Sequence, residues 1–142
     1  METVHGTTVA IAGAGVLLRG ASASGKSDLA LRLIDDGAVL VADDRTVLSL
    51  CAGTVVASAP PAIAGRIEVR GLGIVPVAAV DTAPLRLVVD LVAPEGAERM
   101  PPARRIALMG TELPLLRLTA FHASTPSKIR LALRLGVGEI AR

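Results

Sequence analysis

The segment Gly20-Ala21-Ser22-Ala23-Ser24-Gly25-Lys26-Ser27 sets one lysine and one hydroxyl at the end of a run of small residues. Its spacing satisfies GxxxxGK(S/T), and it lies between the apolar run "VLLR" and an amphipathic segment that begins at Ser27. A strand, such a loop and a helix in that order make a phosphate cradle. Small residues let the backbone bend round an anion, its N–H groups converge on phosphate oxygens, and the helix start adds the positive end of its dipole. Lys26 can then follow the β- and γ-phosphates of a nucleotide as a point charge, while the Ser27 hydroxyl takes a place on Mg²⁺. The chain has two lysines, Lys26 and Lys128, against thirteen arginines. One of the two therefore falls where a compact charge suits better than a planar fork.

Phosphoryl transfer also needs carboxylates. The apolar "AVLV" of residues 38–41 runs through Ala42 into Asp43 and Asp44, as a strand carrying a metal-site acid does. Adjacent strand residues face opposite ways, so the two acids should differ in role if the strand persists through both. Without the phosphate loop, the pair would read as an ordinary strand-to-turn transition.

Four segments together resemble one family. "VHG" at residues 4–6, the phosphate loop, "LVADDR" at 40–45 and "EVRGLGI" at 68–74 look like the catalytic domain of bacterial HPr kinase/phosphorylase. The likeness is close over the first half of the chain and looser over the second. It implies an α/β P-loop kinase domain with a mixed, strand-rich sheet, of the type shared with phosphoenolpyruvate carboxykinase. The implied activity is ATP-dependent phosphorylation of a serine on HPr, the phosphocarrier of the sugar phosphotransferase system, with phosphorolysis of phosphoserine as the reverse reaction. The implied assembly is a hexamer.

Carried onto this chain, the resemblance gives the phosphates to Lys26 and Mg²⁺ to Ser27 and Glu68. The acid pair exchanges a proton with the seryl oxygen, Asp44 being favoured and Asp43 close behind. His5 matches the family's active-site histidine, and Arg99 in "ERMP" matches a later catalytic arginine. Departures are visible too. The chain starts almost at "VHG", so the family's N-terminal domain is expected to be absent. Ala23 stands where glycine is usual, and Asp28 replaces glutamate. "AFHASTPSK" departs from the arginine- and glycine-containing segment linked to phosphorolysis, so a weak reverse reaction is expected, with Lys128 and Arg130 as the cations available for a second anion. A kinase of a small metabolite and a non-catalytic ATP-sensing module remain the alternatives.

These residues need elements to hold them. "TTVAIAG" and "VLLRG" read as two strands of a hairpin about Gly13–Gly15, because β-branched and aliphatic residues alternate with glycine punctuation. Leu29, Ala30, Leu33 and Ile34 recur at helical spacing, with Gly37 as the stop, giving a helix of about ten residues. "AVLVADD" reads as a buried strand and "RTVLSLCAGTVVASA" as two strands round a glycine turn. "RIEVRG", "LRLVVDLV" and "RIALMG" are further strands. "SKIRLALRLG" has helical spacing at Ile129, Leu131, Leu133 and Leu135.

Composition narrows the partners. A chain of 142 residues with 51% hydrophobic content suits one domain, residues 1–142. Its single aromatic residue, Phe121, and net charge of +2 without a basic run argue against a nucleic-acid surface. Every apolar run meets a charge or proline well short of 18 residues, and the N-terminus lacks the basic start of a signal peptide. Cys51 is the sole cysteine, so no intramolecular disulfide forms and a cytoplasmic setting is expected.

Overall fold

A computed structural model describes residues 1–141 as eleven strands and two α-helices, with short 3-10 turns between some of them. In chain order these begin with β1 (Glu2–His5), β2 (Thr7–Ile11) and β3 (Ala14–Arg19), then α1 (Lys26–Asp35) and β4 (Val39–Ala42). Next come β5 (Arg45–Cys51), β6 (Thr54–Ser58), β7 (Arg66–Val69) and β8 (Gly73–Pro76). The last are β9 (Thr82–Leu91), β10 (Arg104–Leu108), β11 (Thr111–Leu118) and α2 (Thr125–Leu135). The mixed sheet runs β1-β5-β6-β9-β3-β2-β4, with β11 also on β9 and β10 on β11, while β7 and β8 pair apart from it. No helix among the described residues is long and apolar enough to cross a membrane.

Three hairpins share one device. β2–β3, β5–β6 and β10–β11 each turn through two residues with positive φ: Ala12-Gly13, Ala52-Gly53 and Met109-Gly110. Such turns match the right-handed twist of the strands they join. The first hairpin was expected about Gly13–Gly15; Gly15 instead belongs to β3, opposite Ala10 on one side and Leu85 on the other.

Strand β9 organises the rest. Its first residues pair with β6, while Leu85–Asp90 pair in parallel with β3 and Val88–Leu91 in parallel with β11. Side chains alternate along these central strands. Val16, Leu18, Leu87, Val89 and Leu91 join Leu29, Leu33 and Ile129 of the helices in one core cluster. Leu17, Leu85 and Val88 join Leu48, Val55 and Leu113 in another. Burial on both faces explains why "VLL" and "LVV" are unbroken apolar runs.

Helix α1 buries Leu29, Ala30 and Leu33 as its spacing predicts. In α2, Ile129 and Ala132 are buried but Leu131 and Leu135 are 42% and 52% exposed, so the seam there is narrower than the leucine spacing implies. Strands β1, β8 and β11 are absent from the sequence reading: β1 is short and half polar, and β8 and β11 contain Pro76 and Pro114. Pro114 is tolerated because the pairing of β11 with β9 begins one residue later, at Leu115.

At Gly15 the β3–β9 register shifts, and a Cβ there would lie 2.8 Å from the Pro84 carbonyl oxygen. Gly15→Ala should therefore push the central strands apart and cost about 1–3 kcal/mol. Urea unfolding monitored by far-UV circular dichroism would check this, an unchanged midpoint being the contrary result.

Candidate active site

Between β3 and α1, residues 20–27 form the phosphate loop where the motif puts it. Gly25 precedes the helix with φ 98°, and no side chain caps the first turn, leaving its N–H groups available to an anion. Ala23 takes φ 66°, which explains why glycine is the usual residue there. Lys26 is 7% exposed. Its Nζ donates to the carbonyl oxygens of Gly20 (2.8 Å) and Ala21 (3.0 Å), which folds it back along the loop. The Ser24 hydroxyl is buried and has no hydrogen-bond partner among the described residues.

The two acids do differ, but through a turn and not through strand pleat, because β4 ends at Ala42. Asp43 is 8% exposed and accepts three hydrogen bonds. The Thr7 hydroxyl (3.1 Å) and the Ser27 hydroxyl (2.8 Å) both donate to Oδ1, and the Glu68 backbone N–H donates to Oδ2 (2.9 Å). Arg45 N–H donates to the Asp43 carbonyl, closing a three-residue turn about Asp44, whose φ is 63°. That conformation is uncommon for a residue with a Cβ. It swings the Asp44 side chain into the open, 62% exposed, with His5 Nε2 2.9 Å from Oδ1. Asp44 N–H donates to the Thr7 hydroxyl (3.0 Å), and Gly6 N–H donates to the Asp44 carbonyl (2.8 Å).

His5 is thus no frayed end. β1 pairs with β5 and sets His5 opposite Arg45. Thr7, which the sequence reading passed over, is wholly buried and links both acids. The one clue to it was a pair of threonines opening an otherwise apolar strand.

A cavity of about 480 Å³ is lined by Lys26, Ser27, Asp44 and Glu68 together with Ser22, Ala23, Arg70 and Phe121. A neighbouring one of about 390 Å³ shares Ser27, Asp44 and Glu68 and adds Asp43 and Arg66. The structure thus brings together the loop, both acids and Glu68, with His5 held against Asp44. Arg99 is not brought there. It lines a separate cavity beside β11 and α2 with Lys128 and Leu131, and its guanidinium donates to the sulfur of Met100. On the rim of that cavity, the hydrogen bond from Arg104 holds the Glu98 carboxyl below its ordinary pKa. Lys128 lies there too, and Arg130 bonds to Asp36 and to the Leu33 carbonyl, so neither expected cation faces the phosphate loop.

The oxygen donors suit a hard divalent cation carried with a nucleotide. Ser27 gives its proton to Asp43 and keeps its lone pairs, and Glu68 is exposed on β7. Among the described residues no three His, Cys, Asp or Glu side chains converge as a metal cluster. Phosphate oxygens and water would have to complete the coordination, as is usual for Mg²⁺.

The chain is similar to known proteins. Residues 1–102 match the family model described as HPr Serine kinase C-terminal domain. The HPr kinase/phosphorylase of Lacticaseibacillus casei is 46% identical over 77 residues, which is 54% of this chain and 24% of that protein. That of Bordetella petrii is 48% identical over 73 residues, 51% of this chain and 24% of that protein. The matched segment thus spans about a quarter of the length of these relatives. A solved structure of the Hpr(Ser) kinase/phosphatase from Coxiella burnetii superposes with a TM-score of 0.83 at 30% identity, covering 94% of this chain and 89% of that one.

In the phosphate loop, a left-handed alanine costs about 1–2 kcal/mol, while glycine adds about 0.4–1 kcal/mol of unfolded-state freedom. Strain relief is the larger effect. Ala23→Gly should stabilise the fold by up to about 1.5 kcal/mol, read as a slightly raised urea midpoint, and a lowered midpoint would show that the Ala23 methyl is held by favourable contacts.

Proposed function

Since the chain belongs to the HPr serine kinase C-terminal domain family, we propose that it is an ATP-dependent serine kinase acting on an HPr-type phosphocarrier protein. We read residues 1–142 as its catalytic domain, working in the cytoplasm as part of a hexamer. The observation that carries this reading is the placement of Asp44. It stands exposed and braced by His5 on the wall of the cavity that Lys26 and Ser27 also line.

The chemistry follows from those positions. ATP lays its phosphates along residues 20–27, and Lys26 leaves the Gly20 and Ala21 carbonyls to meet the β- and γ-oxygens. Mg²⁺, held through Ser27 and Glu68, neutralises charge on the phosphates when bound. The seryl oxygen attacks the γ-phosphorus in line. Its bond to phosphorus forms as the bond to the β–γ bridging oxygen breaks, and Asp44 accepts the seryl proton while ADP departs. Asp43, which accepts from three donors, positions Ser27 and the β7 backbone.

In the reverse direction, inorganic phosphate would attack phosphoserine and Asp44 would return the proton to the leaving serine. A second anion needs cations beside the first. Lys128 and Arg130 face elsewhere, so the cations on hand for it are Arg70 and Arg66, which line the two cavities beside Ser27 and Asp44.

An acceptor that is a folded protein needs an open site. The link from α1 to β4 is only residues 36–38, leaving no room for a closing lid at that point. Incubation with γ-labelled ATP and HPr should give phosphoserine-HPr. Label on small metabolites alone would favour the metabolite-kinase alternative, and ATP binding without transfer would favour a sensing module. Lys26→Ala should abolish the transfer, since developing charge is left uncompensated; near-normal turnover would refute its role. Asp44→Asn should lose more than about a hundredfold in kcat while still binding ATP. A larger loss in Asp43→Asn with normal ATP affinity would exchange the two roles.

A further inference from the structure

Phe121 is the chain's one aromatic residue, and it is 66% exposed. Its ring lines the same cavity as Lys26, Ser27 and Glu68, yet nothing in the phosphoryl-transfer chemistry uses it. The topology gives it a place. β3, β9 and β11 run parallel; the phosphate loop leaves the carboxyl end of β3, and the loop bearing Phe121 leaves the carboxyl end of β11. Ligands of open α/β sheets gather in the crevice outside those ends.

The two loops touch. A Cβ on Gly25 would lie 2.7 Å from the Ala120 methyl and 2.8 Å from Cζ of Phe121. The loop is also braced on both sides of the ring. Arg32 of α1 donates to the Ala120 carbonyl and to the His122 carbonyl (3.3 Å). Thr125 bonds through its hydroxyl to the Thr119 carbonyl (2.5 Å) and through its N–H to the His122 carbonyl (3.2 Å). The result is an apolar ring on a braced loop, open to solvent and set against Gly25 of the phosphate cradle itself. Leu31, half-buried on α1, adds apolar surface to the same cavity.

We propose that Phe121 is the stacking wall for the nucleobase of the phosphoryl donor. The inference rests on reading residues 20–27 as a nucleotide site, and it extends that reading by naming the residue that lets the site prefer a nucleotide over a bare polyphosphate. Stacking is indifferent to base edges, so GTP should profit from Phe121 as ATP does.

The test compares Mg²⁺-dependent binding of ATP and of inorganic tripolyphosphate, which has the phosphates but no base, to wild type, F121L, F121A and F121W. F121L and F121A should weaken ATP binding roughly tenfold and leave tripolyphosphate within about twofold, while F121W keeps ATP affinity. F121L retains apolar packing against Gly25, so a merely structural ring predicts no loss in that variant. Unchanged ATP affinity in F121L, or parallel weakening of both ligands, would overturn the proposal. The kinase reading fails separately: a wild type that shows the Phe121-dependent preference for ATP but transfers nothing to HPr overturns that reading and supports the stacking role. A wild type that binds neither ligand overturns both.

Discussion

The Asp43 carboxylate is where three separately folded pieces of the chain meet. Thr7 comes from β2, Ser27 from the start of α1, and the Glu68 N–H from β7, which is outside the main sheet. A carboxylate shielded from water to this degree is costly unless its lone pairs are occupied, and hydrogen bonds to charged groups contribute about 1.5–3 kcal/mol each. Three donors offset the desolvation. They also tie the phosphate loop to the β7–β8 hairpin, whose Ile67 is buried in the core with Leu29 and Leu33 of α1, so both walls of the cleft are held to the same helix.

Upstream of that point, the parallel trio β3, β9 and β11 does the aiming. Arg19, last residue of β3, stands opposite Asp90 of β9 and bonds to it through two nitrogens, at 2.8 and 3.0 Å. Paired charges in a fork geometry resist rotation better than a single contact does. The strand end is therefore clamped one residue before Gly20, where the chain must leave the sheet and curl. Gly20 itself faces Ser24, whose hydroxyl would be 2.5 Å from any Cβ placed there. Clamp and curl are adjacent, so the flexibility the small residues confer is confined to the loop.

What could be read in the sequence was local. The phosphate loop, α1 and the hairpins β2–β3 and β5–β6 declare themselves within a dozen or so residues each, through glycine spacing and apolar period; β10–β11 does not, because Pro114 masks its second strand. The site's connections could not be read that way. His5 is placed by pairing with β5 across some forty positions, and Thr7 acts on acids 36 and 37 residues away. Arg99 shows the same limit in the other direction. A short motif in a loop-rich region fixed its type, but its position depends on β10, β11 and α2, and these carry it to the far cavity. Only the family resemblance supplied His5 and Glu68 as site residues, because alone they read as a chain end and the polar face of a strand.

The neighbouring acids show how one short turn can divide two tasks. Had β4 continued, pleat would have sent Asp43 and Asp44 to opposite faces of a sheet flanked by β2, and Asp44 would have left the cleft. The left-handed turn instead keeps both on one side, one buried and one exposed. A backbone conformation of that kind costs of order 1–3 kcal/mol and persists only where its surroundings over-determine it. Here they do: Gly6 and Arg45 close the turn through the backbone, Thr7 takes the Asp44 N–H, and His5 takes the carboxyl. Strain in the chain is thus spent on keeping one of two neighbouring carboxylates exposed at the rim of the cleft while the other stays buried in its wall.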